Sequence, residues 1–134
     1  MEGTISILSI SRKMADHNDL GIKGEQLAVQ FLKSKGHEIL ELNYRYSRAE
    51  VDIVSRVGDC VVFTEVKTRG GRYFGNPEEF VDEAKQQKMA LAAENFLDEH
   101  KLNCELRFDI ISIFKNETEE KVKHFQDAFY PLED

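Results

Sequence analysis

The stretch from Glu50 to Arg69 constrains this chain most tightly. Two runs rich in β-branched residues flank Gly58-Asp59, a pair with strong turn preference. A two-residue hairpin loop there pairs Val57 with Cys60. Counting outward sets Asp52 opposite Glu65 and Glu50 opposite Lys67. Side chains alternate along a strand, so these four residues are predicted on one face. Opposed positions hold their Cβ atoms roughly 4.5–5.5 Å apart, and like charges at that separation destabilise a sheet. Asp52 facing Glu65 therefore asks for a neutralising partner, and a divalent cation fits.

Composition narrows the alternatives. The chain has 134 residues, enough for one domain with a core. Hydrophobic residues make up 41% and charged residues 32%, as in ordinary globular proteins. No apolar run reaches bilayer-spanning length, so no membrane role is expected. The apolar run from Ile5 to Ile10 is short and lacks the flanks of a signal peptide. Met14 follows it as an alternative start, and residues 1–19 are read as a poorly ordered tail. Residues 20–134 are read as the single domain. Cys60 and Cys104 are too few for a disulfide framework and read as reduced thiols of a cytoplasmic protein. His17, His37, His100 and His124 have no zinc-ligand spacing and read as surface or satisfied histidines.

The net charge of −7 argues against a general electrostatic grip on nucleic acid. Charge position matters more than charge sum, however. Arg45, Arg48, Lys67, Arg69 and Arg72 fall within one stretch of 28 residues around the hairpin.

Helical spacing of Leu20, Gly24, Leu27, Ala28, Phe31 and Leu32 predicts a helix over Leu20–Lys35, with Gly36 as its C-cap. By spacing alone Glu25 lies at the margin of the buried face and reads as an exposed glutamate in the first turn, favourable to the helix dipole. A strand is predicted over His37–Tyr44. After the hairpin, Gly70-Gly71 opens a loop through Asn76-Pro77, and a long helix is predicted over Glu78–His100. Its apolar face is read as Phe80, Val81, Ala84, Leu91, Ala92 and Phe96. Lys88 projects from that face and Lys85 from its edge, each placed to reach a phosphate or a carboxylate, or simply to snorkel. Glu105–Phe114 and Lys121–Phe125 are predicted strands. The order α-β-β-β-α-β-β predicts an α/β fold with a mixed central sheet flanked by helices.

Magnesium takes oxygen ligands, with one or two protein carboxylates and several waters or phosphate oxygens. Asp52 and Glu65 would supply the carboxylates, the Val66 carbonyl another oxygen, and Glu25 would complete the shell if its helix approached. Lys67 beside the metal would hold the attacking water or stabilise charge growing on a phosphate. The plain alternative is an exposed, charge-alternating strand face.

Asp52, Glu65 and Lys67 resemble the Asp…Glu-x-Lys signature of the restriction-endonuclease-like nuclease superfamily, PD-(D/E)xK. The wider pattern is similar to the YraN-like family of small uncharacterised bacterial proteins, related to archaeal Holliday-junction resolvases. The matching residues are Gly21, Gly24-Glu25 and Ala28, then Asn43-Tyr44-Arg45, Glu50-Val51-Asp52 and Phe63 through Arg69. Phe74-Gly75-Asn76-Pro77, Val81, Lys85 and Arg107-Phe108-Asp109 follow. The family usually has glycine where this chain has Ala49. The resemblance implies a restriction-endonuclease-like fold and a Mg²⁺ or Mn²⁺ site at Asp52 and Glu65, with Lys67 catalytic. It also brings Glu25 into the site.

Two functions follow as expectations. In one, the chain is a metal-dependent endonuclease for branched or structured DNA. Glu25, Asp52 and Glu65 then bind metal, Lys67 assists, and Arg45, Arg69, Arg72, Lys85 and Lys88 contact phosphates, with Glu50 as an accessory group. A homodimer would suit cleavage of two strands. In the other, the fold is a non-catalytic adaptor of a DNA-processing complex.

Overall fold

The computed structural model describes residues 16–70 and 81–131. Its elements are α1 (Asp16–Ser34), β1 (Glu38–Tyr46), β2 (Ala49–Val57), β3 (Cys60–Arg69), α2 (Glu83–Glu99), β4 (Glu105–Lys115) and β5 (Glu120–Phe125). This is the mixed α/β order expected from the sequence. The strands form one sheet in the order β1-β2-β3-β4-β5, antiparallel except where β3 pairs in parallel with β4. A parallel neighbour needs a crossover, and the segment carrying α2 provides it.

The helices cover opposite faces. Beneath α2, Met89, Ala92, Ala93 and Phe96 pack with Val61, Phe63, Phe108 and Ile110. Beneath α1, Ala28 and Leu32 pack with Ile53, Ile111 and Ile113. Burying one such aliphatic or aromatic side chain contributes about 1.5–3 kcal/mol, so the two layers fix the sheet between them.

Several boundaries differ from expectation. Helix α1 starts at Asp16, inside the segment read as a tail; residues 1–15 lie outside the described residues. Helix α2 starts at Glu83, because the Asp82 side chain caps it by accepting the Lys85 N–H at 2.8 Å. Residues 71–80, including Phe80 and the expected loop through Asn76-Pro77, lie outside the described ones. The expected apolar face is also rotated. Ala84 and Leu91 are exposed, while Met89 and Ala93 are buried. Positions 89, 92, 93 and 96 are the i, i+3, i+4 and i+7 set of one stripe, which excludes Leu91. Lys88 is consequently exposed instead of projecting from the middle of the buried face.

Asp109 and His37 are buried polar groups held by hydrogen bonds, whereas the buried Thr64 Oγ1 makes none. Asp109 accepts two bonds from the Arg107 guanidinium at 2.8 Å, one from the Asp127 N–H at 2.9 Å, and lies 2.7 Å from His124 Nε2. Burial alone would raise the Asp109 carboxyl, but His124 and Arg107 hold it below the ordinary value. His37 Nδ1 lies 2.9 Å from Ser55 Oγ, and burial pushes its pKa down. His100 stacks on Phe96. These three histidines are satisfied ones, as their spacing implied.

Candidate metal and nucleic-acid site

The hairpin register holds from Val57↔Cys60 to Ile53↔Thr64 and then stops. Asp52 does not pair with Glu65 in the ladder. Its Oδ2 accepts the Val66 N–H at 2.8 Å, so a side chain takes the backbone donor that a longer ladder would have used. Nor does Glu50 face Lys67 as a pair: Glu50 bonds Arg45 instead, at 3.3 Å.

The strand itself explains the interruption. Val51 packs under α2 and Ile53 under α1, although residues two apart in a regular strand share a face. The alternation breaks at Asp52. On the neighbouring strand, Leu42↔Ile53 and Tyr44↔Val51 bracket Asn43, whose φ is +53°. Asparagine is among the few residues that adopt this conformation readily. The twist turns the Asp52 carboxylate out of the sheet's regular pattern.

Asp52 and Glu65 then form the wall between two clefts. One, of about 330 Å³, lies towards α1 and adds Glu25, Lys67 and Thr68. The other, of about 390 Å³, lies towards α2 and adds Arg48, Glu50, Lys85 and Lys88. Lys85 Nζ contacts Glu65 Oε2 at 2.5 Å, and Glu65 is only 5% exposed. Burial, followed by the Glu65 charge, pushes the Asp52 carboxyl up to about 7. The Val66 N–H and Lys85 oppose that rise without cancelling it. One bonded ammonium does not neutralise two carboxylates, one buried and one half-buried.

Glu25 joins this group. It lies well inside α1 and is half-buried, so it is not the exposed first-turn glutamate that spacing suggested. Burial and the charges of Asp52 and Glu50 raise its pKa, while a hydrogen bond with Asn43 lowers it. Its approach depends on Gly24. A Cβ built at Gly24 would lie 1.7 Å from Thr68 Oγ1, so only glycine lets α1 sit this close to β3.

The structure thus gathers Asp52, Glu65, Glu25 and Lys67 around one cleft and Lys85 and Lys88 around the other. Arg45 is exposed on β1 beside Glu50, and Arg69 is exposed at the end of β3. Arg72 lies outside the described residues. Ala49 is buried and does not have a positive φ, so the glycine usual at this position is not required by the backbone here. Sequence reasoning placed Gly24 on the apolar face of the first helix and quoted Asn43 and Thr68 only as part of the wider pattern, with no part in shaping the site. Asn43 had a usable signal, an asparagine inside a strand run; the Gly24–Thr68 contact had none.

The donor chemistry fits a hard divalent cation. The acidic oxygens are clustered, wholly or partly buried, and short of bonded countercharge, which suits such an ion. Among the described residues, no three acidic, histidine or cysteine side chains form a ready-made cage. A cation here would keep open positions for water or phosphate.

Comparison with known proteins adds a family. The model of the uncharacterised protein family UPF0102 matches residues 24–113, a span that includes Glu25, Asp52, Glu65, Lys67 and Lys85. A UPF0102 protein of Christiangramia forsetii is 50% identical over 117 residues, covering 87% of this chain and 98% of that one. Another, from Flavobacterium psychrophilum, is 46% identical with the same coverage. A third, from Alkaliphilus oremlandii, is 40% identical over 82% of this chain and 97% of its own.

Proposed function

From its membership of the uncharacterised family UPF0102, to which this chain belongs, and from the site just described, we propose that it is a metal-dependent endonuclease of the restriction-endonuclease-like superfamily, acting on branched or structured DNA. The observation that carries this reading is the undercompensated pair Asp52 and Glu65 at the meeting of two lysine-bearing clefts. A purely structural pair of carboxylates would be fully bonded, as Asp109 is.

Asp52 and Glu65 would hold Mg²⁺ or Mn²⁺, with Glu25 at the margin. Such an ion, when bound, would supply Lewis-acid polarisation of a phosphodiester and a more acidic water. The chain's own groups do the rest. Lys67 shares the cleft with all three carboxylates and is placed to orient water or to meet negative charge on the phosphate. Lys85 and Lys88 line the opposite cleft, where a DNA backbone would run. Arg45, Arg69 and Arg72 would extend that contact, and two copies of the chain would cut two strands.

Calorimetry with Mn²⁺ near neutral pH tests the reading, alongside cleavage of junction, duplex and single-stranded DNA. Binding in the wild type that disappears in Asp52→Asn and Glu65→Gln, with metal-dependent cleavage lost in the same variants, supports it. DNA binding without cleavage in any metal would favour the adaptor role.

A further inference from the structure

A third groove adjoins the cleft on the α2 side of Asp52 and Glu65. It measures about 170 Å³ and is lined by Tyr46, Ser47, Arg48, Ala49, Lys88 and Leu91. Arg48, Ala49 and Lys88 line both, so one continuous surface leads from the carboxylates into the groove.

Its apolar members are unusually open. Tyr46 is 41% exposed and Leu91 is 58% exposed. A single surface leucine needs no explanation. A tyrosine and a leucine lining one groove beside two cations do. Tyr46 is also held in place. It is the last residue of β1 and pairs with Ala49 across a turn in which Ser47 has a φ of +57°. Lys88 and Leu91 are three apart on α2 and so share one surface of it. Among the described residues, no ion pair engages Arg48 or Lys88.

An apolar surface between two unengaged cations suits a ligand that is aromatic and anionic together. A nucleotide with its base out of the duplex meets both demands: the base stacks, and its neighbouring phosphates meet the cations. An apolar protein segment would cover the patch but offer neither cation an anionic partner in the groove.

We propose that Tyr46 and Leu91 form a stacking subsite for an unpaired nucleobase of the DNA substrate, with Arg48 and Lys88 on its flanking phosphates. This rests on the nuclease reading and deepens it. It makes the preferred substrate one with an unpaired base close to the phosphate at the metal cleft, as at a branch or a flap.

The test uses the full chain, without divalent metal, and a short single-stranded oligodeoxynucleotide carrying one 2-aminopurine. A blunt duplex of the same length is the reference. Wild type, Tyr46→Ala, Tyr46→Phe and Leu91→Ser are compared after circular dichroism confirms their fold. Loss of one stack lowers single-strand affinity by about fivefold to a hundredfold. That loss is expected in Tyr46→Ala, with duplex affinity unchanged, Tyr46→Phe like wild type, and 2-aminopurine quenching present only where the ring is. Leu91→Ser is expected to fall between. Equal losses for both DNAs, no loss in Tyr46→Ala, or no single-strand binding by the wild type would overturn the subsite. The nuclease reading is judged separately, by Mn²⁺-dependent cleavage in wild type and Asp52→Asn. Tyr46-dependent binding without cleavage leaves the subsite standing, and cleavage with Tyr46-independent binding leaves the nuclease standing.

Discussion

Asp52 Oδ2 accepts the backbone N–H of Val66 at 2.8 Å, at the point where the β2–β3 ladder ends. A carboxylate has replaced a carbonyl as the acceptor for a strand. The arrangement holds Asp52 beside Glu65 despite their mutual repulsion, and it makes the site a local cost to the fold.

That cost is expected to depend on pH. Burial and Glu65 raise Asp52 from its ordinary range to about 7, so the folded chain holds a proton that the unfolded chain has released. Stability without metal is therefore greatest below about pH 4 as far as Asp52 is concerned, and falls as pH rises towards 7. Asp52→Asn removes the penalty while an amide oxygen still accepts the Val66 N–H. Urea unfolding is expected to show the variant more stable than wild type by about 2–4 kcal/mol near pH 8, and much closer to it near pH 4. An unchanged difference across that range would contradict the assignment.

Lys85 is the only ammonium bonded to Glu65 among the described residues. Glu65 is buried, but the Lys85 side chain is 42% exposed, so solvent screens part of the attraction. Lys85→Met is expected to cost about 1–2 kcal/mol without metal, less than the loss of a fully buried pair. Mg²⁺ or Mn²⁺ should recover more stability in this variant than in wild type, since the cation then has no competitor for Glu65. Thermal melts with and without metal measure both effects.

Gly24 sets the approach of Glu25. Gly24→Ala drives a methyl group into Thr68 and is expected to push α1 outward, at about 1–3 kcal/mol. Thr68→Ala removes the closest atom, Oγ1, and should relieve part of that loss. A double-mutant cycle by chemical denaturation reads the coupling. Strictly additive losses would mean that the two residues do not meet.

The Asp109 cluster is expected to act on stability alone. Asp109→Asn strips a buried carboxylate from Arg107 and His124 and should cost about 3–5 kcal/mol. Guanidinium unfolding checks this. Mn²⁺ binding measured on the remaining folded protein should be unaltered, because Asp109 lines neither cleft.

The sequence by itself determined the element order, the turn at Gly58-Asp59, the register from Val57↔Cys60 inward, and the identity of the acidic residues. All of these follow from short-range patterns: alternation, helical spacing and turn preference. The scatter of the histidines likewise argued against a zinc site and left them as surface or satisfied residues. Only the tertiary structure decided where the alternation fails. The break at Asp52 arises from its neighbour strand, where Asn43 takes a positive φ, and no period-two count within the hairpin contains that strand. Which lysine meets Glu65 was likewise open, because Lys85 and Lys88 are nearly one turn apart and the choice rests on how α2 is rotated against the sheet. Glu25 shows the limit most clearly. Its place depends on a helix packing close enough to touch Thr68, a contact between residues distant in the chain that no local preference encodes.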